Sequence, residues 1–260
     1  MLNLLRKGKA GRNFEFDNRA IGWREVLNSS EDFITSNFFE RLFYLPESMI
    51  WEILDRSLLD RSTPLPRPEI LQYEFWPGWT LDNRVEPDLF IRCNNLDIIV
   101  EAKARDDNNA QSPAQWEREV KAYQLAYGSD VCHVILLAIG GNDPLNNKNE
   151  TIDIEGRSVT VFKIRWRALL QTLKAVKEVR DTLHQPVELP MVGNILTDMI
   201  EYLNFHGYYP RELFNNFHTP YTISADSFMA LTKGRPGMLD GLSKDFNINT
   251  VSLTTLKTSP

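Results

Sequence analysis

Cysteine is scarce in this chain. Cys93 and Cys132 are the two present in 260 residues, too few for a disulfide framework. Each falls in a stretch patterned as a strand, where a buried reduced thiol is expected. Histidine is nearly as sparse, and His133, His184, His206 and His218 show no zinc-ligand spacing with the cysteines. No apolar run is long enough to cross a bilayer. The opening MLNLLRKGKAGRNFEF is basic but has no long apolar core, so it does not read as a signal peptide. A reducing cytoplasm with no membrane partner is the setting these absences predict. The chain also lacks a Walker loop, a GxSxG elbow and a dinucleotide fingerprint. It has no internal repeat and no low-complexity tract.

Positive charge is in short supply. Lys and Arg number 29 against 35 Asp and Glu, a formal charge of -6. That balance weighs against a surface devoted to phosphate contacts, although a basic groove can sit on an acidic protein. The candidate basic pieces are Arg6, Lys7, Lys9 and Arg12 near the start, and Lys163, Arg165 and Arg167 further on. A solvated face is the alternative for each.

Hydrophobic residues make up 42% and charged residues 25%, the balance of an ordinary globular domain. Residues 1–28 read as an irregular arm. Ser30 is placed to cap a helix through EDFITSNFFERLFYL, and ESMIWEILDRSLL continues as a second helix. The proline-rich RSTPLPRPE is a loop. ILQYEFWPGWT reads as a strand with an irregular end. DLFIRCNN and LDIIVEAKA form two strands joined by a tight turn, the second apolar enough to be covered on both faces. A helix is predicted from Ala114 to Tyr127, then a buried strand in VCHVILLAIG. A hairpin follows around Glu155-Gly156, then helices in RWRALLQTLKAVKEVRDTL and MVGNILTDMIEYLNFHGYY. Alternating helices and strands predict an α/β layered fold with a mixed central sheet flanked by helices. The expected division is an arm over 1–28, a core over 29–185 and a C-terminal helical extension or subdomain over 186–260.

The chemistry is concentrated in VEPDLFIRCNNLDIIVEAKA. Asp88 follows Pro87 at the start of one strand, and Glu101 and Lys103 close the next. A short turn makes the two strands antiparallel neighbours, which brings Asp88 beside Glu101 and Lys103. Side chains alternate along a strand, so Glu101 and Lys103 share a face while Ala102 points away. Two carboxylates and the Ala102 carbonyl are oxygen donors of the kind Mg2+ takes. Lys103 beside them could orient a water, help deprotonate it or stabilise a phosphorane-like transition state. A structural salt bridge at the strand end is the alternative, since burying a charged pair costs desolvation either way.

The order Pro-Asp, turn, apolar strand, Glu-Ala-Lys resembles the signature of the PD-(D/E)XK nuclease superfamily over roughly residues 30 to 165. The resemblance implies a restriction-endonuclease-like three-layer core and a Mg2+-dependent endonuclease, with Mn2+ a possible substitute. DNA is the expected partner ahead of RNA. A homodimer, or a subunit of a restriction or antiphage defence complex, is the assembly it suggests. A repair or transposition setting fits equally well. It assigns Asp88, Glu101 and Lys103 to catalysis and Asp88, Glu101 and Ala102 to the metal. Many members carry a Gln and a Tyr on the next helix. Gln115 with Tyr123 looks like that pattern at longer spacing, so Gln115 joins the expected catalytic set. Glu119 lies one turn after Gln115, at the edge of the apolar stripe of Trp116, Val120, Tyr123 and Tyr127. The superfamily often adds an acid from an earlier helix. Glu31, on the face of Ile34, Phe38 and Leu42, is preferred as that metal ligand, and Glu40 on the opposite side is the alternative. A capping role also explains Glu31. Trp76 and Trp79 could stack on bases or simply pack. A catalytically silent recognition or assembly subunit that keeps the same fold is the competing functional reading.

Overall fold

The computed structural model describes residues 30–106, 110–130, 133–143, 145–182 and 190–209, together with the backbone of residues 14–16 and 19–21. Arg6, Lys7, Lys9, Arg12, Cys132, His184 and His218 lie outside the described residues. Within the stretch expected to be irregular, β1 (Phe14–Phe16) pairs antiparallel with β2 (Arg19–Ile21).

Helix α1 (Glu31–Leu42) starts at the expected cap, where the Phe33 amide donates to Ser30 Oγ at 3.2 Å. Ile34, Phe38 and Leu42 are buried and Glu40 is exposed, as the helical period requires. Helix α2 (Glu47–Arg56) buries Ile50, Trp51, Ile53 and Leu54. Next come β3 (Ile70–Phe75), the short ribbon of β4 (Trp79–Thr80) and β5 (Arg84–Val85), and the hairpin of β6 (Leu89–Cys93) and β7 (Leu96–Ala102). Helix α3 (Pro113–Tyr127) leads to β8 (His133–Ile139). The β9 (Glu150–Ile154) and β10 (Arg157–Ile164) hairpin turns at Glu155 and Gly156, whose φ angles of 53° and 78° are the left-handed pair a two-residue turn needs. Helices α4 (Trp166–Thr182) and α5 (Pro190–Phe205) complete the described chain.

Six strands form one mixed sheet in the order β3-β6-β7-β8-β10-β9. Its centre is parallel, β7 with β8 and β8 with β10, and its flanks are antiparallel. Parallel neighbours require a crossover, which α3 supplies between β7 and β8. On one face Phe90, Ile99, Leu136 and Val161 pack with Trp116, Val120 and Tyr123 of α3. On the other, Ile91, Val100, Leu137 and Phe162 pack with Phe38, Leu54, Leu169 and Leu203 from α1, α2, α4 and α5. Burying each such side chain is worth about 1.5–3 kcal/mol, so the two clusters fix the three-layer α/β order. β7 is buried at every position, which leaves only its end for chemistry.

Helix α5, read from the sequence as part of an extension, packs on α1 and α4, and Tyr202 donates its hydroxyl to the Phe33 carbonyl at 2.7 Å. The chain separates into Met1–Pro210 and Arg211–Pro260, so the unit that holds the sheet includes α5. The stretch after Pro210 lies outside the described residues. Among the described residues no helix is long and apolar enough to cross a membrane. Lys163, a candidate basic surface residue, is instead buried and paired with Glu150 at 2.5 Å. The pair links β10 to β9. Arg165 donates to Asn147 Oδ1 at 3.0 Å. Cys93 is a buried free thiol, and burial pushes its pKa up to about 12.

Candidate active site

The β6–β7 register pairs Leu89 with Val100. One step further, Asp88 stands opposite Glu101, on the face that carries Phe90 and Ile99. Asp88 Oδ2 accepts the Ala102 amide at 2.7 Å, so the end of β7 itself holds the aspartate. Asp88 and Glu101 are 7% and 2% exposed, and Ala102 is wholly buried. Ala102, expected from the sequence to offer its carbonyl, here donates its N–H to Asp88.

Lys103 lies just past β7. Its Nζ donates to Glu31 Oε1 at 3.3 Å and to Glu101 Oε1. The other Glu31 oxygen accepts the Ala104 amide at 3.1 Å. Of the two helix acids weighed from the sequence, Glu31 reaches the site and Glu40 does not. The backbone here is held from several sides. Lys103 N donates to Ile139 O at 2.7 Å, Trp166 Nε1 donates to Lys103 O at 2.8 Å, and the Tyr208 hydroxyl donates to Ala104 O at 2.7 Å. Asp106 caps α4 by accepting the Trp166 and Arg167 amides at 2.8 and 3.0 Å. Gly140, at φ +66°, allows the end of β8 to pass so close to Lys103 O that a Cβ would collide with it.

Helix α3 brings Gln115 to the cavity and buries Glu119, 2% exposed, against Glu101 and Gln115. Glu119 Oε2 has no hydrogen-bond partner. Tyr123 is a core residue, and its hydroxyl donates to Asp97 Oδ2 at 2.6 Å. Gln111, which the sequence did not single out, donates to Glu101 O at 3.0 Å and Gly140 O at 3.2 Å and accepts from Trp116 Nε1 at 2.8 Å. Trp79 packs in the core on Phe90 and Tyr123. Trp76 is exposed at the cavity rim, and its amide donates to Asp88 O at 3.2 Å.

Trp76 and Gln115 line an open cavity of about 460 Å³ together with the charged Glu31, Asp32, Glu86, Asp88, Glu101 and Lys103. Burial, then the Glu101 and Glu31 carboxylates, push the Asp88 pKa up to about 8 against the Ala102 amide and Lys103. Burial, then Glu101, raises Glu119 well above the usual carboxyl range. Burial opposes the charge on Lys103, but Glu101 and Glu31 outweigh it, and its pKa is raised. Lys103 is therefore an ammonium at neutral pH. One buried ammonium does not balance the carboxylates around it, and such an excess is relieved by protons or by a cation. Carboxylate oxygens are the donors that a hard divalent ion takes. Among the described residues, however, no three His, Cys, Asp or Glu side chains are grouped so that they could hold a metal ion, and Lys103 Nζ lies against Glu101.

The fold and site define an α/β protein whose mixed sheet carries an acid-lysine cluster at the end of its central strand. Over 213 residues the chain is 32% identical to the uncharacterized protein PM0110 of Pasteurella multocida (strain Pm70), a match covering 77% of this chain and 75% of that protein. The chain belongs to the same family as that protein. No protein-family model matches it.

Proposed function

We propose that this chain is a divalent-metal-dependent nuclease of the PD-(D/E)XK kind that hydrolyses phosphodiester bonds, with DNA its substrate. The observation that carries the reading is the meeting of Asp88, Glu101 and Lys103 at one end of an antiparallel strand pair. Asp88 and Glu101 would hold Mg2+ or Mn2+, with Glu31 and the Ala102 carbonyl as further oxygen donors. A cation bound there supplies Lewis acidity and offsets charge on the phosphate. Lys103, kept protonated by its carboxylates, would donate to a phosphate oxygen or orient the attacking water rather than take its proton. Gln115, at the cavity wall, would position that water by its amide. Attack would be in line, with no covalent enzyme intermediate.

DNA, a dimer that cuts both strands and a restriction or defence setting follow from the superfamily resemblance. The acidic rim of Asp32 and Glu86 and the charge of -6 favour a second reading. In it, the chain is a recognition subunit of a nuclease complex that keeps the fold without the chemistry.

Incubation of supercoiled plasmid with the full chain and Mg2+ separates the two. The nuclease reading expects nicked and linear products that disappear with chelator and with Lys103→Ala. Equal cleavage by the variant, or none by the wild type over a range of metals and substrates, overturns it.

A further inference from the structure

We propose that Trp76 is a stacking platform for an unpaired nucleobase at the mouth of the active-site cavity, so that the chain takes single-stranded DNA in preference to intact duplex. The inference rests on the nuclease reading above and narrows its substrate class.

The backbone at Trp76 is strained. Its φ is 49°, in the left-handed region that bulky side chains seldom enter. It also precedes Pro77, and a residue in that place prefers extended backbone with φ near about −120°. Glycine or asparagine would avoid most of the steric cost. The strained turn is pinned on both sides. The Trp76 amide donates to Asp88 O at 3.2 Å, and Trp79, three residues on, packs on Phe90 and Tyr123. Burial explains the second tryptophan and not the first: Trp79 is 6% exposed and Trp76 40%. Strain of this kind persists where the surroundings enforce it, and it gathers at ligand sites.

Its surroundings give the ring a use. Trp76 lines the cavity that contains Asp88, Glu101 and Lys103. On the β3 side its indole meets Phe75 at 5.6 Å between centroids, and Tyr73 and then Phe43 continue the row at 6.0 and 4.0 Å. These rings back the indole. The cavity therefore offers charged groups inside and an apolar plane at its rim, the two surfaces that a nucleotide matches with its phosphate and its base. Every base has a π-face, so stacking of this kind tolerates any sequence. A base inside a duplex is already stacked on its neighbours and must be taken out of the stack to reach the indole, whereas an unpaired base is free to meet it.

Fluorescence anisotropy of the full chain with a short fluorescein-labelled DNA oligonucleotide of mixed sequence, single-stranded or as a blunt duplex, tests this in CaCl2. Wild type, Trp76→Leu and Trp76→Phe are compared, and melting temperatures check that each is folded. Wild type is expected to bind the single strand more tightly than the duplex. Trp76→Leu should weaken single-strand binding by about 10-fold or more and leave duplex binding unchanged. Trp76→Phe, which keeps a π-face, should retain most of the preference. Equal affinity of the wild type for the two forms, or no binding of either, overturns the inference. Single-strand affinity unchanged in Trp76→Leu overturns it as well. Equal weakening of both forms assigns the ring to packing and also overturns it. If Trp76→Leu does not fold, the wild-type preference and its retention in Trp76→Phe decide. Plasmid cleavage in MgCl2 alongside any overturning result leaves the nuclease reading standing. A Trp76-dependent preference for the single strand without cleavage in any metal overturns that reading and upholds the stacking role.

Discussion

Lys103 Nζ lies 3.3 Å from Glu31 Oε1, and this contact ties the end of the central strand to the first turn of α1. Asp88, Glu101 and Glu119 belong to the α3 side of the sheet, whereas α1 packs on the other side. The site therefore spans two layers around the edge where β7 ends, and its geometry depends on both cores.

Replacing Lys103 with methionine keeps the aliphatic stem and removes the charge. Phosphodiester cleavage is expected to fall by about 100-fold or more, the usual loss for one preorganised donor to a transition state. Single-turnover cleavage of a defined duplex checks this, and a rate within twofold of wild type would remove Lys103 from the chemistry.

Asp88→Asn trades activity for stability. The folded pKa of Asp88 is raised to about 8 from 3.8, so the folded state holds the proton more tightly than the unfolded chain. The resulting penalty on stability is absent below about pH 4, grows as pH rises and is complete above about pH 8. The amide still accepts from Ala102 N–H but carries no charge. Without metal, the variant should be on the order of 5 kcal/mol more stable than wild type at pH 8 and about equal to it at pH 4. Urea unfolding at both pH values in chelator measures the difference.

Gly140→Ala tests backbone packing and leaves the charges of the site in place. The backbone is left-handed there, φ +66°, and the new Cβ would press on Lys103 O and lie 3.0 Å from Trp166 Nε1. A loss of about 3 kcal/mol or more is expected from strain and overpacking together. Thermal melting measures it, and a variant as stable as wild type would contradict the packing described at the end of β7.

His206 makes the α1–α5 contact acid-sensitive. Its ring nitrogen lies 2.7 Å from the Tyr202 hydroxyl. Burial, then Arg105, pushes its pKa down to about 4 from 6.5. The unfolded chain binds the proton first, so the stability this residue contributes is full above about pH 6.5 and is lost as pH falls through 4. The loss is on the order of 3 kcal/mol. His206→Gln should flatten the slope of unfolding free energy between pH 7 and 4, and an unchanged slope would contradict the assignment.

Much of the site was legible because β6 and β7 are adjacent in sequence. The turn at Asn94 and Asn95 fixes the register, and the register alone puts Asp88 opposite Glu101. Glu31 was legible because a 3.6-residue period separates it from Glu40. What was missed depends on contacts between elements. Glu119 sat at the edge of an apolar stripe, and only the docking of α3 on the sheet decides that it is buried. Its spacing of four from Gln115 was the available signal. Gln111 lies in a loop with no period to read. Lys163 looked like surface charge because its partner, Glu150, comes from the neighbouring strand. Tyr208 reaches Ala104 O from the far end of α5, a contact no local pattern encodes.

The proposed chemistry requires Asp88 and Glu101 to grip one cation. Anomalous diffraction from a crystal soaked in Mn2+ tests that directly. The predicted result is a peak about 2.1 Å from a carboxylate oxygen of each residue. A well-ordered Asp88–Glu101 pair with no anomalous peak between them would contradict it.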